Sequence, residues 1–170
     1  RGRRGAGAAP AAGDGGQVVS DLAALAVPAD RQQAERLAYA GLVPFVLGTL
    51  LIWLIGDRDL EQHVFVSHGL SAYAALVISF LGGIHWGLGF TRGVPGQRAL
   101  FWGVGASLLG WLGVLMPPYA GLALHGAVLV ACYFNDRRVY PAYGAGDWLT
   151  LRFRLTAVSS LSCFLAAAGS

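Results

Sequence analysis

Three histidines, His68, His85 and His125, lie in stretches of this chain that carry no ionised side chain. Imidazole ligates haem and metals and titrates near neutral pH, so these positions are the first place to look for chemistry. His68 sits about six residues into one apolar stretch and His125 about six residues into another. If the two helices run in the same direction, both imidazoles reach a similar depth, the arrangement of paired axial ligands in a b-type haem site. A haem- or quinone-binding electron carrier using His68 and His125 is the sharper expectation. The plainer one is that each histidine donates to a backbone carbonyl or a neighbouring side chain inside a helical bundle. His85 is expected near the headgroups without an equivalent partner, and His63 in a loop.

Other chemistries find little support. No Asp or Glu falls within the apolar stretches, whereas proton-coupled transporters keep an acid within their spans. Cys132 and Cys163 are expected to be buried small apolar residues, too far apart for a disulfide. Phosphate loops, zinc-ligand spacings and nucleophile elbows do not occur. The residues therefore suggest a protein that is not an enzyme, with no catalytic residue, no metal site and no resident cofactor.

The elements that position these side chains follow from composition and charge spacing. Of 170 residues, 55% are hydrophobic and only 12% charged, about half the charged share of a soluble domain. A disordered chain needs the opposite balance, and two cysteines cannot staple a disulfide scaffold. All twelve basic residues are Arg, with a net charge of only +3, which does not suggest a nucleic-acid surface. An integral membrane protein remains.

Ionised residues are absent from 37–56, 62–91, 99–135 and 155–170. Crossing a hydrocarbon core of ~30 Å takes about 20 helical residues, so the first two stretches supply one span each. The third would make a helix of ~55 Å, and Pro117-Pro118 near its middle turns it into a hairpin. The fourth reaches full length if it starts near Trp148 and its arginines snorkel. The expectation is an all-α bundle of five transmembrane helices over 37–170, with spans near 37–55, 64–90, 99–116, 119–134 and 149–168. Pro44 is expected to bend the first.

Five crossings put Arg31, Arg36, Arg92, Arg98, Arg137, Arg138, Arg152 and Arg154 on one side and Arg58 alone on the other. By the positive-inside rule the N-terminus then faces the matrix or cytoplasm and the C-terminus lies across the membrane, in the intermembrane space of a mitochondrion. Residues 1–36 form an Arg/Gly/Ala-rich extension whose composition is similar to that of an organelle transit sequence, with Asp30 as a capping residue for the first helix.

Two surfaces are expected to make contacts. Ser79, Gly83 and Gly87 recur every four residues, a small-residue stripe suited to close helix packing. Arg137, Arg138, Arg152 and Arg154 are expected at the lipid headgroups, where phospholipid, and cardiolipin in particular, supplies the anion. Asn135-Asp136-Arg137-Arg138 is expected to stop the fourth helix just past Phe134.

Tyr39-Ala-Gly-Leu-Val-Pro-Phe45, Ser79-Phe-Leu-Gly-Gly-Ile-His-Trp-Gly87, Pro117-Pro118 and Asp136-Arg137-Arg138 together resemble the transmembrane protein sixty-nine family, over about residues 37–168. The resemblance implies a five-span protein of proteobacterial or mitochondrial membranes and assigns no catalytic residues. The expected function is a non-catalytic accessory subunit of a mitochondrial inner-membrane respiratory or other energy-transducing complex, its partners being other membrane subunits. A transient assembly factor shares every one of these features.

Overall fold

The computed structural model describes residues 31–92 and 97–170. The expected extension, its Asp30 cap and most of the Arg92–Arg98 loop lie outside the described residues. Contacts divide the chain after Ala34, and the unit Glu35–Ser170 holds the features that follow.

The described residues form helices joined by short turns: α1 (Arg31–Ala40), α2 (Val43–Ile55), α3 (Leu60–Arg92), α4 (Gln97–Leu115), α5 (Pro118–Val139) and α6 (Leu149–Gly169), with 3₁₀ turns at Gly56–Arg58, Tyr140–Tyr143 and Gly146–Trp148. Three helical stretches are long and apolar enough to cross a membrane, Arg31–Ile55, Leu60–Phe90 and Gly146–Gly169; Leu100–Leu115 is apolar but shorter.

Proline places two of the breaks. Pro44 lacks the N–H that an unbroken helix would use, so the backbone turns at Gly41-Leu42 and α2 restarts with proline in its first turn. The chain breaks there rather than bending. The Tyr73 hydroxyl donates to the Gly41 carbonyl at 2.8 Å, satisfying an acceptor at the break. Pro117 and Pro118 separate α4 from α5 in the same way, with Pro118 opening α5. At the start of α3, the Asp59 carboxylate accepts the Gln62 N–H at 3.0 Å, an N-cap.

The bundle buries polar side chains among apolar ones and turns an apolar surface outward. Helices α3 and α5 lie at its centre: α3 packs on α2, α4 and α5, and α5 packs on α3, α4 and α6. Their shared core holds Ile78, Leu122 and Leu129 beside Ser67, Ser71, His85, His125 and Asp136. Leu47, Leu50 and Leu54 on α2 face outward, as do Phe101, Leu108 and Leu112 on α4. Water would penalise that surface, whereas lipid does not. In lipid the attraction between helices comes from close packing and hydrogen bonds instead. Both appear here. A Cβ on Gly82 of α3 would stand 2.7 Å from the Gly103 carbonyl of α4, and one on Gly110 would stand 3.3 Å from the Ala75 backbone.

Helix α5, the fourth expected span, departs from expectation. It runs through Asn135-Asp136-Arg137-Arg138 to Val139 instead of stopping at Phe134. Asp136 lies one turn beyond Cys132 on the buried face, while Arg137 and Arg138 point outward. A charge pairing within the bundle lets the helix continue past residues that read as a terminus.

Candidate functional site

Three helices meet at Asp136. Its Oδ2 accepts the Arg152 Nε–H at 2.8 Å and also the Arg152 Nη2–H, and its Oδ1 accepts the His85 Nε2–H at 2.8 Å. Asp136 and His85 are each only 1% exposed and Arg152 is 9% exposed. The Asn135 carboxamide lies 3.2 Å from the same His85 nitrogen, and the Tyr140 ring packs at 6.2 Å between centroids. Burial pushes the Tyr140 hydroxyl up to about 12; the Asp136 charge adds to the rise and Arg152 opposes it.

Arg152 was expected at the headgroups, and the structure places it inside. Its position on α6 faces α5, and Asp136 compensates the charge that burial would otherwise expel. Arg137, Arg138 and Arg154 remain exposed. Arg154 stands near Tyr39 and Glu35 of α1. An ionised pair inside the bundle is not legible in the sequence, where each charge reads as the end of a span. The nearest signal is Asp136 lying four residues after Cys132, on the helix face that carries His125 and Leu129.

A second polar tie lies deeper. His125 is fully buried; its Nε2–H donates to the Gly110 carbonyl of α4 at 2.9 Å, which leaves Nδ1 to accept from the Ser71 hydroxyl of α3 at 3.4 Å. Gly113 makes room for the ring, since a Cβ there would stand 2.5 Å from Nε2. His68 is exposed on α3. The structure therefore does not present His68 and His125 as a facing pair, because the second ring already uses both nitrogens within the bundle. Thr49 of α2 completes the ties, donating to the Phe45 and Ser162 carbonyls at 2.8 and 3.0 Å.

Of the expected stripe Ser79, Gly83 and Gly87, the two glycines are not where the helices of this chain close on one another. A Cβ on Gly83 or Gly87 would meet nothing within 4 Å, and the tight approach falls one residue earlier, at Gly82. Cys132 and Cys163 are both buried and free. Among the described residues, no group of three or more His, Cys, Asp or Glu is placed to hold a metal ion.

This arrangement defines an all-helical membrane protein whose buried polar side chains tie its own helices together. Residues 31–168 match the family model described as "Protein of unknown function (DUF3429)", and the chain belongs to that family. It is 32% identical over 134 residues to Transmembrane protein 69 of Xenopus tropicalis, a match covering 74% of this chain and 50% of the relative. The chain thus spans about half the length of that relative. No solved structure matches it.

Proposed function

We propose that this chain is a non-catalytic subunit of a larger inner-membrane complex, most simply a mitochondrial respiratory or related energy-transducing one. The observation that carries the reading is the satisfaction of Asp136: both of its oxygens are taken by side chains of the same bundle, and none is left facing a cavity or a substrate. A buried ion pair of this kind sets which helices are neighbours. The surface adds support. Gly83 is exposed and has open space above it, so another protein's helix could approach closely there.

In this reading the chain crosses the membrane five times, α1 and α2 counting as one span. The end with Arg137, Arg138 and Arg154 faces the matrix or cytoplasm. These three exposed arginines hold anionic phospholipid, cardiolipin in a mitochondrion, against the headgroup region. Arg152 has no part in that contact.

The test is extraction in mild detergent followed by a native gel and protein identification. Co-migration with a large assembly is expected, and Gly83→Leu should weaken it while leaving the fold intact. Migration as a free monomer from every membrane tested overturns the proposal. Presence only in partly assembled particles selects the assembly-factor role.

A further inference from the structure

We draw no further inference here: the strongest candidate, the outward face of α3 where His68 stands exposed beside the open space at Gly69, carries nothing because nothing in the structure shows what covers it.

Discussion

Asp136 and Arg152 lie 16 residues apart in sequence, on helices that run in opposite directions, and the guanidinium delivers two N–H groups to a single carboxylate oxygen. The other oxygen is taken by His85 of α3, so one carboxylate joins α3, α5 and α6. Both members of the ion pair are buried, and removing either strands the other in a medium that solvates charge poorly.

Asp136→Leu alone, or Arg152→Met alone, is therefore expected to cost more than Asp136→Leu combined with Arg152→Met. Either single variant should lose roughly 3–5 kcal/mol, the usual cost of an uncompensated buried charge, while the double variant recovers most of it. Reversible unfolding of the four members of this cycle in bicelles measures the coupling. Equal losses for single and double variants would show that the pair is not the tie described here.

The second tie predicts a steric effect. In Gly113→Ala the new Cβ falls 2.5 Å from the His125 ring, and moving the ring aside gives up its bonds to Gly110 and Ser71. A loss of roughly 1–3 kcal/mol is expected from overpacking. Gly83→Ala, with open space above it, should change stability little. Thermal unfolding of the two variants side by side checks the contrast.

The glycine phase on α3 separates folding from association. Gly82→Leu must push α4 away, because even a Cβ there meets the Gly103 carbonyl at 2.7 Å. It should lower expression and stability of the chain itself. Gly83→Leu should leave both unchanged and weaken only contacts with other proteins. Size-exclusion profiles in detergent, alongside native gels from membranes, distinguish the two outcomes.

Tyr140 gives a pH signature. Its hydroxyl is raised from the ordinary value of 10 to about 12 in the folded protein, chiefly by burial. The unfolded chain loses that proton first, so stability declines as pH rises between ~10 and about 12, by up to roughly 1.4 kcal/mol per pH unit. Below the unfolded value the contribution is flat. Ultraviolet titration should show one phenol ionising late, and Tyr140→Phe should remove both that transition and the slope.

How far the sequence carried the fold can be seen at particular residues. Pro117-Pro118 marks the turn between α4 and α5 because two missing N–H donors cannot sit inside a helix, whatever surrounds them. Pro44 was legible as a disturbance but not as a break, since whether a helix bends or restarts depends on what satisfies the freed carbonyls. Tyr73 of α3, 32 residues away from Gly41, supplies one of those partners.

The amino-acid sequence by itself determined that the chain is helical and lives in a membrane, because long charge-free stretches and the proline breaks act through local backbone and solvation physics. It could not determine where Asp136 and Arg152 reside. A charge reads as a boundary until its partner is known, and that partner is delivered by a different helix. The same holds for Gly82 against Gly83: spacing shows a narrow face, but only the packed neighbour decides which glycine is pressed and which is left open. Pairing and helix phase are properties of the assembled bundle, and there the tertiary structure alone decides.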